Sequence, residues 1–473
     1  MPAAAAWRRS VGAMSDRLVV VGGDAAGMSA AMQVRRRQPE REIVVLERGR
    51  WTSYSACGIP YLVGGSVGDI DDLVARSPET FRDRHGIDVR LGHEVRAVDL
   101  DARRVEAWNH DAGQAVQLGF DTLHIATGAR PLRPDLPGID HPMVHGVQTL
   151  DDAAALQARV EGGDGGSGGA GGGEVRRVAV VGGGYIGLEM SEAFVQRGLE
   201  VTLVEAADHL MPTLDADVAE PLVGALSGMG IDVRLGTPLE AIDDGGIVAG
   251  GERIPVDLVV LGLGTRPNAE LAADAGIEVG VKGAVRVDRR QLTSAEGVWA
   301  AGDCCESYHL VARAPMHIAL GTVANKQGRV AGINMGGGYA SFPGVLGTAV
   351  TKVCSVEIGR TGLSRAEADR YGFAAVEASI EGESRAGYLP ERKRITVKAI
   401  AEVGTGRLIG AQIVGEEGTA KRIDVLATAI QAGLTAAQVV DLDLGYAPPF
   451  GPVWDPVHVV ARELVRGLDR ART

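Results

Sequence analysis

The stretch Leu18-Val19-Val20-Val21-Gly22-Gly23-Asp24-Ala25-Ala26-Gly27 decides the fold. Four apolar residues rich in valine read as a buried strand running into a glycine turn, and a helix follows as far as Arg37. Ile43-Val44-Val45-Leu46 then supplies a second strand, which ends at Glu47. The same plan returns as Val178-Ala179-Val180-Val181, Gly182-Gly183-Gly184-Tyr185-Ile186-Gly187, a helix through Arg197, and Val201-Thr202-Leu203-Val204 ending at Glu205. Strand, glycine turn, helix, strand and closing acid make a dinucleotide-binding βαβ unit. The glycines let backbone approach a pyrophosphate at the helix N-terminus, and the acid accepts hydrogen bonds from a ribose. A lone glycine fingerprint is weak, but two complete units predict a chain that holds two dinucleotides. The first loop has a flaw. Asp24 takes the middle-glycine position, where a carboxylate repels a pyrophosphate, so it is expected to turn outward or to bond its own turn.

At 473 residues the chain is long enough for two or three domains, each with its own core. Its 45% hydrophobic and 23% charged residues are ordinary for a soluble globular protein. A formal net charge of -13 argues against nucleic acid or an anionic membrane as a general partner. Four cysteines, at 57, 304, 305 and 354, are too few and too badly spaced for a disulfide framework or a zinc site. No metal is expected, and a reducing cytoplasm fits. No apolar run reaches transmembrane length, and residues 1–13 lack the apolar core of a signal peptide. Residues 1–15 are expected to be a disordered or artefactual tail, with Met14 a candidate initiator. The nearly pure glycine stretch Gly162–Gly173 reads as a flexible excursion without catalytic content. From about residue 340 alternating apolar runs, Ile395–Lys398 and Leu408–Gly415, precede a helix from Lys421. They predict a separate α+β domain with antiparallel strands.

Between the two glycine loops lies Tyr54-Ser55-Ala56-Cys57-Gly58-Ile59-Pro60-Tyr61. Cys57 has no neighbour for a Cys-x4-Cys pair, because Thr52 and Leu62 stand five residues to either side. A redox thiol so placed must work as a mixed disulfide with a small thiol, a persulfide or a sulfenic acid. Pro60 suits the first turn of a helix, so Cys57 is expected at a helix start that favours thiolate and lowers the pKa from about 8.5. The bland alternative is a buried structural cysteine. Cys304 and Cys305 are read as packing residues, since a vicinal disulfide is strained, and Cys354 likewise.

Five further segments complete a pattern: Ala126-Thr127-Gly128-Ala129-Arg130-Pro131, Gly262-Leu263-Gly264-Thr265-Arg266-Pro267-Asn268, Trp299-Ala300-Ala301-Gly302-Asp303, Ala324-Asn325-Lys326-Gln327-Gly328-Arg329, and Tyr446-Ala447-Pro448-Pro449-Phe450. Together with the two loops they resemble the FAD-dependent pyridine nucleotide-disulfide oxidoreductases. The nearest likeness is the single-cysteine branch of coenzyme A-disulfide reductases, NADH oxidases and NADH peroxidases. The resemblance covers roughly residues 16–465. It implies an α/β fold with two Rossmann-like domains and a C-terminal α+β dimerisation domain. The expected boundaries are 16–135 and 268–335 for the FAD domain, 136–267 for the NAD(P)H domain and 336–473 for dimerisation. It further implies a homodimer in which the C-terminal domain of one subunit completes the other's active site.

The resemblance assigns FAD to Gly22, Gly23, Ala25, Ala26, Gly27, Glu47, Arg48, Thr127, Gly128, Gly302, Asp303 and Ala319, with Asp303 on the ribityl chain. It assigns NAD(P)H to Gly182, Gly184, Tyr185, Ile186, Gly187, Glu189, Glu205 and Gly264. Tyr185 would gate the nicotinamide stacking site and Glu189 would engage the carboxamide; helix packing and an exposed charge are the plainer readings. Glu205 is followed by Ala206-Ala207 rather than arginine, which favours NADH over NADPH, although Arg266 could assist a 2'-phosphate. Cys57 is the expected redox centre, with Tyr446 and Tyr388 handling protons from the partner subunit, or else packing an interface. A His-Pro base of the dithiol kind is absent, and His458 is given no role. Arg35 and Arg36, with Arg37 beside them, are candidates for the phosphates of coenzyme A, against a solvated helix end. Ser53 and Tyr61 complete the expected substrate set.

Oxidases and peroxidases of this branch usually carry a histidine in the first glycine loop, where this chain has Ala25. The Cys57-Gly58-Ile59-Pro60-Tyr61 run with Gly64-Gly65 looks more like the coenzyme A-disulfide and persulfide reductases. The expected activity is therefore NAD(P)H-dependent reduction of coenzyme A disulfide, or a related small disulfide or persulfide, through one cysteine. An NADH oxidase working through a Cys57 sulfenate is the main alternative. A redox-sensing NADH-binding flavoprotein without fast turnover is the alternative of another kind. This sequence shows no stretch resembling the rhodanese module that some persulfide reductases append, so persulfide processing within one polypeptide is less expected, while polysulfide or coenzyme A persulfide reduction stays open.

Overall fold

A computed structural model of the protein describes residues 16–162 and 175–473. The expected tail at 1–15 and the glycine stretch beyond Gly162 lie outside the described residues. The first unit forms as read. Arg17–Val21 pairs in parallel with Glu42–Leu46, Val19 beside Val44 and Val20 beside Val45, and helix α1 (Ala25–Arg37) connects them. Gly22 has φ +107, and a Cβ there would lie 2.1 Å from the Ala126 carbonyl oxygen, so only glycine fits. The sheet runs in the order 298–300, 122–125, 17–21, 42–46, 88–90, all parallel. Leu18, Val19 and Val20 are fully buried because both sheet faces are covered, which is why the strand is a continuous apolar run rather than an alternating one. Further along, the cysteine segment forms a 3-10 turn (Ala56–Gly58) that leads into helix α2 (Ile59–Gly64).

The second unit repeats the arrangement with helix α3 (Tyr185–Gln196) between Arg177–Val181 and Glu200–Val204. Its sheet order is 232–234, 200–204, 177–181, 258–261, 144–145, again all parallel. It hangs from the first unit by a two-stranded neck. Ala129–Pro131 and Thr265–Pro267 pair antiparallel, and Arg130 bonds Asn268 at 2.8 Å across it. The chain then returns to the first sheet through Val298–Ala300 and enters helix α4 (Gly321–Met335), which lies against α1. Contact is backbone-close: a Cβ on Gly328 would sit 2.2 Å from the Ala26 carbonyl oxygen.

The C-terminal part is an antiparallel sheet ordered 349–353, 356–362, 408–415, 394–402, 375–383, covered by helices Ile423–Ala432 and Pro456–Arg472. Val397, Ile413, Leu426, Val460 and Leu464 form its core. This is the α+β character expected beyond residue 340. Its first hairpin also reaches into the second unit, since Val353 and Ile358 share one hydrophobic cluster with Leu188 and Phe194. Lys398, 4% exposed, ties the same two parts together through Asp215 at 3.1 Å and Asp217 at 2.9 Å. The whole is α/β, two Rossmann-like units followed by an α+β domain. Among the described residues no helix is long and apolar enough to cross a membrane.

Candidate functional site

The closing acids are held alike in both units. Glu47 accepts from the N–H groups of Gly23 and Gly49, each at 2.7 Å. Glu205 accepts from Gly183 at 2.7 Å and Ala207 at 2.8 Å. A carboxylate has about four acceptor positions, so each acid is oriented by its own loop with capacity left for a ribose. In the first unit Gln327, on α4 and buried, accepts from the Gly302 N–H at 2.9 Å and donates to Ser307 at 2.9 Å, which fixes the Gly302-Asp303 turn. Asp303 Oδ1 is sealed from solvent without a partner, and burial raises its pKa to about 6. In the second unit the Tyr185 hydroxyl is likewise sealed, with Thr213 near it but out of bonding geometry. A buried unsatisfied polar atom costs about 1–3 kcal/mol, so both mark places for a polar ligand group. The two cradles fit FAD and NAD(P)H respectively.

The remaining expected nucleotide residues surround these two turns. Gly22, Gly23, Ala25, Ala26 and Gly27 form the first loop, and Gly182, Gly184, Ile186 and Gly187 the second. Thr127 donates to the Asn268 carbonyl at 2.5 Å, and Gly128 (φ +67) accepts from the Asn268 N–H at 3.0 Å. Gly264 (φ +88) accepts from the Leu132 N–H at the neck. Ala319 precedes the N-terminus of α4, which has no side-chain cap. Arg48 is exposed beside Glu47.

Asp24 meets expectation only in part. It faces the Ala25 N–H of its own turn, but Oδ1 also accepts from the Tyr54 N–H at 3.1 Å, outside that turn. The cause is the cysteine loop, which lies on the glycine turn: the Ser53 N–H bonds the Gly23 carbonyl at 2.9 Å and the Thr52 hydroxyl bonds it too. Burial, reinforced by the charges of Glu47 and Asp303, raises the Asp24 pKa to about 7 against donation from the Tyr54 and Ala25 N–H groups.

Cys57 stands just before α2, with Pro60 in the first turn, and is exposed and free. Its pKa, however, moves up rather than down. Partial burial is the largest cause, and Glu189, Asp303 and Asp24 add to it, while the backbone N–H opposes them only weakly. The helix start is there as expected; three carboxylates converging from both nucleotide units outweigh it. Tyr61, one helical turn on, has its phenol pushed up by burial, Glu189, Glu192 and Cys57. Glu189 is raised by burial as well and accepts from the Thr351 hydroxyl at 2.5 Å. Cys57, Tyr61 and Glu189 thus lie within electrostatic reach of one another where α2 packs on α3. The other cysteines pack as expected. Cys304 and Cys305 are buried with sulfurs 3.6 Å apart, and Cys354 rests against Met229. His458 bonds none of these groups; its Nε2 meets the Leu442 carbonyl.

Beside Ala25 and Ser53 opens a cavity whose walls carry Arg36, Arg76, Lys326 and Arg329, with Ser29 and Asn325 bonded to each other at 2.8 Å. Arg36 and Ser53, both of the expected substrate set, line this cavity. Arg35 does not: its guanidinium bonds the carbonyls of Pro39 and Gly86, away from this cavity. Consecutive helical residues point about 100° apart, so one arginine of the run reaches the cavity and its neighbours cannot. Arg76, Lys326 and Arg329 line the cavity too and were not among the expected residues. The last two sit three apart on α4 and therefore on one face, a signal present in the sequence; Arg76 carried none. Tyr388 and Tyr446 adjoin each other on the C-terminal domain, 73% and 50% exposed, near Phe450 and Trp454, also exposed. Neither is among the groups that shift Cys57 within its own chain.

Two nucleotide cradles with one partnerless thiol between them define an oxidoreductase that moves electrons between a pyridine nucleotide, a flavin and sulfur. The chain belongs to the pyridine nucleotide-disulphide oxidoreductases, whose family model matches residues 16–328 and whose dimerisation-domain model matches 348–456. It is an FAD-dependent enzyme of that family. It is 38% identical over 459 residues to the NAD(P)H coenzyme A polysulfide/persulfide reductase of Pyrococcus horikoshii, covering 95% of this chain and 99% of the relative. It is 35% identical over 457 residues to the NADH oxidase of Methanocaldococcus jannaschii, covering 96% and 99%. The solved NAD-dependent persulfide reductase from A. fulgidus superposes with a TM-score of 0.91 at 38% identity, over 96% of this chain and 84% of that one.

Proposed function

We propose that this enzyme reduces coenzyme A disulfide or coenzyme A persulfide with electrons from NADH, through Cys57 alone. The observation that carries the reading is the free, exposed thiol of Cys57 on the segment whose Ser53 lines a cavity with four cations, the charge a phosphate-bearing thiol needs. The Cys57 thiolate attacks one sulfur of the coenzyme A disulfide and expels the other as a coenzyme A thiolate. With a persulfide, attack on the inner sulfur expels hydrosulfide. Both routes leave the same Cys57–S–S–CoA mixed disulfide. FAD, when bound, would supply the two electrons, drawn from the nicotinamide, that return this mixed disulfide to the Cys57 and coenzyme A thiolates. Gly22, Gly23 and the α1 N-terminus would hold its pyrophosphate, Glu47 its ribose and Asp303 its ribityl chain. Arg36, Arg76, Lys326 and Arg329 hold the coenzyme A phosphates, with Ser53 and Tyr61 along the path to Cys57.

Glu205 supports NADH as donor: it is 9% exposed, fixed by two backbone N–H groups, and a 2'-phosphate would set like charge against it. Arg234, on the neighbouring strand, is already paired with Asp232 and Glu252. The enzyme works as a homodimer in the cytoplasm, where Tyr446 and Tyr388 of one subunit face Cys57 of the other. The oxidase reading keeps the support of relatives named NADH oxidase, that of M. jannaschii among them; against it stands Ala25 where oxidases of the branch carry histidine. Cys57→Ser tests the assignment. The variant keeps bound FAD and its bleaching by NADH, and loses disulfide turnover by roughly a thousandfold or more. Undiminished turnover in that variant removes Cys57 from the chemistry.

A further inference from the structure

The strand Ala349–Val353 belongs to the C-terminal sheet, yet its side chains meet α3 of the second nucleotide unit. Thr351, 7% exposed, donates its hydroxyl to Glu189 Oε1 at 2.5 Å. One helical turn further along α3, Glu192 Oε2 accepts the Cys354 N–H at 2.9 Å. Between these two bonds Val353 is fully buried in a cluster with Leu188 and Phe194 of α3. The hairpin is therefore seated on the helix by packing, and the Thr351 bond is a fixed feature of that packing rather than a surface encounter.

We infer that Thr351 is a positioning residue for NADH: its hydroxyl orients the Glu189 carboxylate toward the nicotinamide carboxamide. The inference rests on the reading of Glu189 given above and adds a residue from another domain to it. The groups that face Glu189 explain why it needs this partner. Glu192 on its own helix presents a like charge, Cys57 and Tyr61 from the cysteine segment and Tyr185 from the helix start bring acids, and Arg360 acts on Tyr185 rather than on Glu189. Burial and Glu192 favour the neutral carboxyl, and the Thr351 hydroxyl works against both. A protonated Glu189 forfeits an acceptor oxygen that the carboxamide NH2 requires. The arrangement also couples domain seating to donor binding, because the hairpin that carries Thr351 is part of the dimerisation sheet.

The test uses the FAD-loaded dimer with Thr351→Val, Thr351→Ser and Glu189→Gln. Thr351→Val keeps the branched shape and removes the hydroxyl. It should raise KM for NADH roughly tenfold, the range for a lost hydrogen bond to a charged group, with kcat little changed. The acid limb of the kcat/KM profile for NADH should move to higher pH, so that the defect is largest in mild acid. Thr351→Ser should restore both the KM and the limb. Unchanged KM and profile in Thr351→Val would overturn the inference, as would a serine variant no better than valine, which would reduce Thr351 to packing. Glu189→Gln separates the two layers. A raised KM there beside an unaffected Thr351→Val defeats the positioning role alone; no effect in Glu189→Gln defeats the Glu189 reading itself and this inference with it.

Discussion

Asp24 occupies the middle-glycine position of the first loop, and the structure makes its carboxyl easy to neutralise. Its pKa of about 7, against 3.8 when free, means the folded protein holds that proton more tightly than the unfolded chain does. Stability from this group is therefore full below about 3.8, declines as pH rises toward about 7, and is flat above. The substitution Asp24→Asn would keep an Oδ1 acceptor for Tyr54 and remove the ionisable group. The variant should gain melting temperature over the wild type progressively between about pH 4 and about pH 7, and retain FAD better at the alkaline end. A difference that stays constant with pH would show that ionisation of Asp24 is not what matters. The sequence pointed to the problem of a carboxylate in the loop but not to its solution. The bond to Tyr54 depends on where a segment thirty residues away folds, and local turn chemistry predicts only the nearby alternatives. The same limit applied to Cys57. Helix-start placement was legible from Pro60; the convergence of Glu189, Asp303 and Asp24 on the thiol was not, because they come from three separate segments.

The elements themselves were readable to the extent that their signal was local. Both βαβ units, the two crossing segments of the neck and the antiparallel C-terminal strands appear where apolar runs and glycines placed them. What pairs with what was less open to reading. α4 packs on α1 through Ala26, Gly328 and Gly332, and that contact sets the distance between the first glycine loop and the Gly302-Asp303 turn. An added Cβ at Gly328 would lie 2.2 Å from a backbone oxygen, not from a yielding side chain. Gly328→Ala should therefore destabilise the FAD-bound protein by about 1–3 kcal/mol through overpacking, despite a helix-propensity gain of about 1 kcal/mol. Denaturant unfolding measures it, with loss of flavin absorbance as the accompanying sign; equal or greater stability would mean the two helices separate freely. The cations of the cavity illustrate the same boundary. Arg35, Arg36 and Arg37 are adjacent in sequence but diverge around the helix, and Lys326 and Arg329 join Arg36 only because α4 returns beside α1.

At the scale of the whole molecule, the three parts are joined by specific contacts. The neck holds the second unit opposite the first, Lys398 and its acids hold it to the C-terminal sheet, and the 349–353 strand places Thr351 on α3. Tyr388, Tyr446, Phe450 and Trp454 stand exposed on the C-terminal domain. The raised thiol pKa carries a consequence for turnover. Exchange depends on the thiolate, so the rate with a disulfide substrate should climb with pH through the neutral range rather than level off early. The measurement that decides the account is NADH oxidation by the purified FAD-loaded enzyme, followed anaerobically with coenzyme A disulfide or coenzyme A persulfide and, separately, in air with neither. Rapid oxidation with the sulfur substrates and slow oxidation in air is the predicted result, and it makes Cys57 an exchange nucleophile. Rapid oxidation in air with no response to either sulfur substrate would contradict it and assign the enzyme to oxygen.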